Sequence, residues 1–229
     1  HLFQVEYAME AVKRGSSVIG VRTPSCVVLA VERRAAPLLQ DTRTIRKIVH
    51  LDDHVVCAFA GLTADARVLI GKTRMECQSY RLTCEDAPSI EYVSRFVART
   101  QQKYTQRGGV RPFGISTLIA GFEGDKPCLM QTDPAGSFSS WKANAVGGKN
   151  AKTMREFLEK GWEEDMSQEE GIKLAVQALL EVVDSGSKNM EIMVVEKDNK
   201  RVLAEAEIRA VVAGIEAEKE DNDDGKMKE

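Results

Sequence analysis

Several groups of residues in this chain have types and spacing that could do chemistry. His50 and His54 stand four apart, which on one helix would turn both imidazoles toward a common metal ion. Here the interval runs between two β-branched runs and across Asp52-Asp53, so the two rings need not converge. The acidic pair itself reads as a solvated turn rather than a catalytic dyad. Gly147-Gly148-Lys149 invites comparison with a phosphate loop, but Asn150 follows the lysine where Ser or Thr is needed, and no glycine sits five residues before Gly148. A helix capped by Asn150 accounts for the same letters. Cys26, Cys57, Cys77, Cys84 and Cys128 are odd in number and scattered among apolar residues, which fits reduced thiols used as small core side chains. The seven-residue step from Cys77 to Cys84 matches no zinc spacing and puts both on one helical face. Arg95, Arg99, Lys103 and Arg107 share a helix side without interleaved aromatic rings, so they suit a solvated or subunit-contacting surface better than a nucleic-acid footprint. No metal site and no cofactor are expected.

The elements that must position these residues follow from periodicity. Leu2, Val5, Met9 and Val12 fall three and four apart among polar neighbours, so residues 2–14 read as an amphipathic helix that Gly15 ends. Strands are expected at 17–22 and 26–32 around a Thr23-Pro24-Ser25 turn, then at 45–50 and 55–60. Four strands without a crossover helix favour an antiparallel sheet. The period then changes: Leu62, Ala66, Leu69, Ile70, Thr73, Cys77 and Tyr80 share a face, with Asp65 set off it, over about five helical turns. Asp86-Ala87-Pro88 opens a second helix, whose apolar face carries Ile90, Val93, Val97 and Tyr104. A second strand block is expected at 114–122, 128–132 and 137–146. A helix at 150–160 follows, then one with a Ser167/Glu170 capping box, closed by Gly186. A strand at 190–196, a short run at 201–203 and a helix carrying Ile208, Val211, Val212 and Ile215 complete the series. Beyond Glu216 the chain is almost wholly charged and is expected to be mobile.

At 229 residues the chain is long enough for one well-buried domain, read as 1–218 with a charged tail at 219–229. A net charge of −3 and 29% charged residues describe an ordinary globular composition and name no partner. No apolar run approaches the roughly 20 residues that span a bilayer, and the amino end reads as a polar-faced helix rather than a signal peptide. The cytoplasm and nucleus are the expected locations, with no membrane and no direct nucleic-acid partner.

The opening run LFQVEYAMEAVKRGS closely resembles the signature of proteasome alpha subunits. Arg43-Thr-Ile-Arg-Lys47, Ala58-Phe-Ala-Gly-Leu-Thr-Ala-Asp-Ala-Arg67, Tyr104-Thr-Gln, Arg111-Pro-Phe-Gly-Ile-Ser116, Asp133-Pro-Ala-Gly136 and Trp141-Lys-Ala-Asn-Ala145 look like further family motifs in family order. His1 before LFQVEY, the GLTADAR run and the charged tail look most like the paralogue at the fourth alpha position of the ring. The resemblance selects one fold among α+β arrangements: a four-layer αββα sandwich of two antiparallel sheets, the amino-terminal nucleophile hydrolase fold, with an extra amino-terminal helix.

In catalytic sister subunits a threonine freed by cleavage uses its own amine as base, helped by an aspartate and a lysine. Lined up with that pattern, Ser16 falls at the nucleophile, Glu32 at the aspartate and Lys47 at the lysine. One position of three is kept, and the Ser16 nitrogen is an amide joined through Gly15 to the preceding helix. The resemblance therefore implies a non-catalytic subunit with no catalytic residues, the competent hydrolase being the alternative. It implies neighbouring alpha subunits in a seven-membered ring and a catalytic-type beta ring beneath. It also implies regulatory-particle ATPases and other activators that dock through their C-terminal tails. Gly15, Lys47, Gly61 and Leu62 match the activator-tail pocket, Tyr7 matches a gate-associated tyrosine, and Leu2, Val5, Met9 and Val12 would form a ring-interface helix. Family members carry a Tyr-Asp-Arg motif upstream of LFQVEYA, outside this sequence.

Overall fold

The computed structural model of this protein describes residues 2–33, 46–182 and 189–226, the side chains of Leu2 and 219–226 excepted. Helix α1 (Leu2–Lys13) leads through Gly15 into β1 (Val18–Arg22) and β2 (Val27–Glu32). The hairpin β3 (Ile48–Asp52) and β4 (Val55–Gly61) precedes α2 (Thr63–Cys84) and α3 (Ile90–Gln106). Then come β5 (Ile115–Glu123), β6 (Lys126–Thr132), β7 (Phe138–Ser140) and β8 (Ala143–Val146). Helices α4 (Ala151–Gly161) and α5 (Gln168–Leu180) are followed by β9 (Met190–Val195), β10 (Lys200–Val202) and α6 (Glu205–Lys226).

The strands form two antiparallel five-stranded sheets, β10-β9-β2-β1-β8 and β3-β4-β5-β6-β7. Alternation explains how both faces of each are buried. Val18, Val27, Leu29, Val31, Met193 and Val195 meet Ile48, Val56, Ala58, Ala60, Leu118 and Ala120 between the sheets. The intervening residues Ile19, Val28, Ala30, Ile192 and Val194 face Met154, Leu158, Ala175, Leu179 and Ile208 of α4, α5 and α6. On the other outer face, Val55, Cys57, Phe59, Ile115 and Ile119 pack against Ala66, Leu69, Cys77, Ile90, Val93 and Val97 of α2 and α3. This is the four-layer αββα sandwich.

Some local expectations change. The single strand expected at 137–146 is two, broken at Trp141-Lys142: β7 pairs with β6 in one sheet, while β8 pairs with β1 in the other. The chain changes sheets there, a step no periodicity records. Helix α3 is capped by Ser89, whose hydroxyl accepts the Tyr92 amide at 3.1 Å, rather than opened at Asp86. Asn150 stands at the N-cap of α4 without a side-chain cap bond, whereas Ser167 and Glu170 do form the capping box of α5. Cys26, Cys57 and Cys77 are buried, but Cys84 is exposed because α2 continues to it past the edge of the core. The chain past Glu216 continues α6 as backbone as far as Lys226. His1, residues 43–45 of the RTIRK motif, Val183, Gly186 and residues 227–229 lie outside the described residues.

Candidate functional site

The site is built where α1, β4 and α2 meet. Lys47 lies immediately before β3, and its carbonyl accepts the Phe59 amide of β4 at 3.3 Å. Its ammonium stands 4.9 Å from the centroid of the Phe59 ring and donates to Thr63 Oγ1 at 3.1 Å. The half-buried side chain therefore lies along the outer face of the second sheet and ends at the first turn of α2.

Gly61 ends β4 with φ +114°, a backbone conformation that favours glycine. A Cβ there would lie 2.1 Å from the Gly114 carbonyl oxygen, which instead accepts the Leu62 amide at 3.0 Å. Leu62 then stands at the N-cap of α2 with its side chain 44% exposed. Gly15 closes α1, its amide donating to Val12 at 2.9 Å, and a Cβ on Gly15 would lie 2.4 Å from the Gly61 nitrogen. The space left by its missing side chain is thus filled by Gly61 backbone. Three separated stretches bring Gly15, Gly61, Leu62 and Lys47 around one β4–α2 junction.

Sequence reasoning missed the residue that braces this junction. Asp65, placed off the buried face by periodicity, is buried and accepts from Arg111 Nη1 at 2.6 Å, Arg111 Nη2 at 2.8 Å and the Gly114 amide at 3.0 Å. The Arg111 guanidinium and the Gly114 amide hold its carboxyl below the usual range against the opposing effect of burial. Asp65 thereby fixes the loop whose Gly114 carbonyl holds Leu62. The visible signal was an acid in the first turn of α2 together with the Arg111-Pro-Phe-Gly114 run.

Within this one chain the opening helix buries only part of the Leu2, Val5, Met9 and Val12 stripe. Val12 is buried and Val5 half-buried, but Met9 is 39% exposed, and the second buried residue is Ala8. The Leu2 side chain lies outside the described residues. Small residues face inward because α1 comes close to the sheet: a Cβ on Gly114 would lie 3.3 Å from Ala11 Cβ. Tyr7 is 65% exposed beside the equally open Phe3, on the outer side of the helix and away from the buried Ala8 and Val12.

Ser16 is buried, and its nitrogen is the peptide amide to Gly15. Glu32 turns its carboxylate to the Ser17 amide at 2.9 Å, making it a clamp on the start of β1. The histidines do not form a pair. His50 is exposed, whereas His54 Nε2 lies 2.6 Å from the Pro88 carbonyl and its Nδ1 lies 3.5 Å from Asp52 Oδ2. Asp52 corrects the reading of a solvated turn. Its carboxylate is buried, accepts from Arg81 Nε at 2.9 Å and from the Asp53 amide at 2.8 Å, and only Asp53 is solvated. Among the described residues, no group of three or more His, Cys, Asp or Glu is placed to hold a metal, and no helix is long and apolar enough to cross a membrane. Arg95 pairs with Glu91 and lies over Phe138, while Lys103 and Arg107 line an open groove of about 680 Å³ between α2 and α3.

A profile of the family described as "Proteasome subunit" matches residues 12–195. The chain belongs to that family. It is 62% identical over 222 residues to proteasome subunit alpha type-7 of Dictyostelium discoideum, covering 96% of this chain and 88% of that protein. Alpha type-7 of Solanum lycopersicum is 60% identical over 222 residues, covering 96% and 85% respectively. Alpha type-8 of Mus musculus is 55% identical over 232 residues, covering 100% and 92%. The family assignment agrees with the sandwich and with an alpha-type helix packed ahead of β1.

Proposed function

We propose that this chain is a structural, non-catalytic alpha-ring subunit of the 20S proteasome, serving the entrance and activator docking for protein degradation, ubiquitin-dependent degradation included. The observation that carries the reading is the continuous chain from α1 through Gly15 into Ser16. A hydroxyl whose neighbouring nitrogen is an amide has no amine to accept its proton, and Glu32 is engaged with Ser17. Catalysis then belongs to a neighbouring beta ring, and this chain's neighbours are other alpha subunits in a seven-membered ring. Ser16→Ala in assembled particles is expected to leave peptide turnover per particle unchanged. A complete loss, with assembly intact by native mass, would identify Ser16 as a nucleophile and reverse the reading.

The β4–α2 junction is the proposed receptor for the terminal carboxylate of an activator tail, such as those of regulatory-particle ATPases. An ammonium can meet a carboxylate from several directions, and Lys47 ends beside an exposed Leu62. Charge-assisted hydrogen bonds of this kind contribute about 1.5–3 kcal/mol. Because several tails would engage one ring together, Lys47→Ala should weaken a tail-bearing activator about threefold to tenfold without abolishing binding. Activator titration against stimulated peptide entry measures this, and wild-type behaviour in both would remove the pocket. Tyr7, exposed on α1, is the proposed gate-associated residue, and Leu2, Val5, Met9 and Val12 remain the proposed ring-interface stripe, of which Met9 is exposed in the single chain. The cytoplasm and nucleus, where thiols stay reduced, suit the free cysteines.

A further inference from the structure

An edge strand of each sheet meets α2 at one corner of the sandwich. β3 borders the second sheet and β10 the first, and together with α2 they frame an open groove of about 600 Å³, lined by His50, Asp53, Arg74, Gln78 and Lys200. Arg74 Nε donates to the His50 carbonyl at 2.9 Å, which ties the guanidinium to β3 and leaves its two terminal nitrogens without a partner among the described residues. The Lys200 ammonium, half-buried on β10, likewise has no hydrogen-bond or ion-pair partner among them. Asp52, also in the lining, is closed in by Arg81 and the Asp53 amide, so only Asp53 is an exposed carboxylate beside the two cations. The chain as a whole carries a net charge of −3, so this local excess of positive charge runs against its composition. The His50 ring registers it: partial burial, then the charges of Lys200, Arg74 and Arg46, hold its pKa below the usual value, opposed by Asp53.

We infer that this groove is a binding site for a phosphate monoester, whose oxygens are taken by the Arg74 terminal nitrogens and the Lys200 ammonium. A phosphate monoester carries a charge of about −1.5 to −2 at pH 7 and three strong acceptor oxygens. Two cations match that charge, and a guanidinium fork matches two of the oxygens. A lone carboxylate would leave one cation unmatched. His50, neutral at pH 7 with its pKa lowered, adds a hydrogen-bonding ring rather than a third charge, and the Gln78 amide adds a further donor. The half-buried position of Lys200 strengthens the pull, because its charge is screened less than that of a fully exposed lysine. The open side of the groove admits an extended segment, so the monoester is assigned to a phosphorylated side chain of another polypeptide. No residue of the groove belongs to the β4–α2 junction, and the inference does not rest on the tail-docking reading.

The test uses assembled particles and a fluorescein-labelled peptide carrying one phosphoserine, followed by fluorescence anisotropy, with its unphosphorylated twin and inorganic phosphate as competitors. The phosphopeptide should bind at least about tenfold more tightly than either. Arg74→Ala and Lys200→Gln should each weaken it about fivefold to tenfold, and Asp53→Asn, which removes the opposing charge, should tighten it about twofold. Lys152→Ala, which removes an exposed cation of α4, should change nothing. Native mass confirms assembly, and Arg74→Gln replaces the alanine variant where that one fails to assemble. Equal binding of the peptide with and without its phosphate would overturn the inference. Wild-type affinity in both Arg74→Ala and Lys200→Gln would do the same, as would an equal loss in Lys152→Ala, the mark of diffuse attraction. Inorganic phosphate that competes as tightly as the phosphopeptide would overturn the assignment to a polypeptide.

Discussion

The two ends of the β3–β4 hairpin hold charge in opposite ways. At the turn, Asp52 is buried and closed in by Arg81, the Asp53 amide and His54, so that its partners all come from within the chain. At the open end, Lys47 stays half-buried and rests its ammonium on a hydroxyl and a ring face, beside an exposed leucine and a pair of mutually packed glycines. An ionic set completed internally contributes to stability. In the tail-docking reading, the cation lodged on a hydroxyl and a ring face is the group that would meet an incoming anion.

The comparison is broken most severely at the backbone of the open end. Gly61→Ala combines strain at positive φ, about 1–3 kcal/mol, with a Cβ driven onto the Gly114 carbonyl, worth about another 1–3 kcal/mol. Denaturant unfolding of the isolated subunit should show that combined loss. A change below about 1 kcal/mol would mean that the glycine packing at the junction is not tight.

At the turn, Asp52→Asn should cost about 1–2 kcal/mol, the low end because Arg81 is a third exposed. The effect has a definite pH signature. Burial alone would raise the Asp52 carboxyl, but Arg81 and the Asp53 amide outweigh it and leave the folded value lowered. The unfolded chain then takes up the proton first as the medium is acidified. The contribution is complete above the ordinary aspartate value of about 3.9 and is lost as pH falls through the folded value, so wild type and Asp52→Asn should converge in stability in acid. A gap that persists undiminished at about pH 2–3 would assign the effect to packing rather than charge.

The smallest expected change sharpens the contrast. Lys47→Ala should alter unfolding free energy by no more than about 1 kcal/mol, the scale of an exposed cation–π contact. A larger loss would make Lys47 a structural group like Asp52.

Much of this site is legible in the residues alone. Gly15 and Gly61 announce chain reversals, Leu62 and Ala66 open a helical face, and the motif around Lys47 marks its place in the family. The purpose of Gly15 is not legible there, because it depends on Gly61 backbone arriving from the far end of β4. Asp65 is likewise hidden: helical periodicity sorts residues by polarity, and an acid reads as solvent-facing until an arginine from another loop closes on it.

By itself the sequence determined the succession of strands and helices, through alternating and three-four apolar spacing, and it determined that Ser16 follows Gly15 at the end of a helical stretch. The tertiary structure alone decided that residues 138–140 and 143–146 part into different sheets, that α1 buries Ala8 beside Val12, and that Asp52 and Asp65 are interior. Each of these depends on partners far away in the chain. Local pattern reports which side of an element is apolar; only packing reports how close its neighbour comes and which charges that neighbour brings.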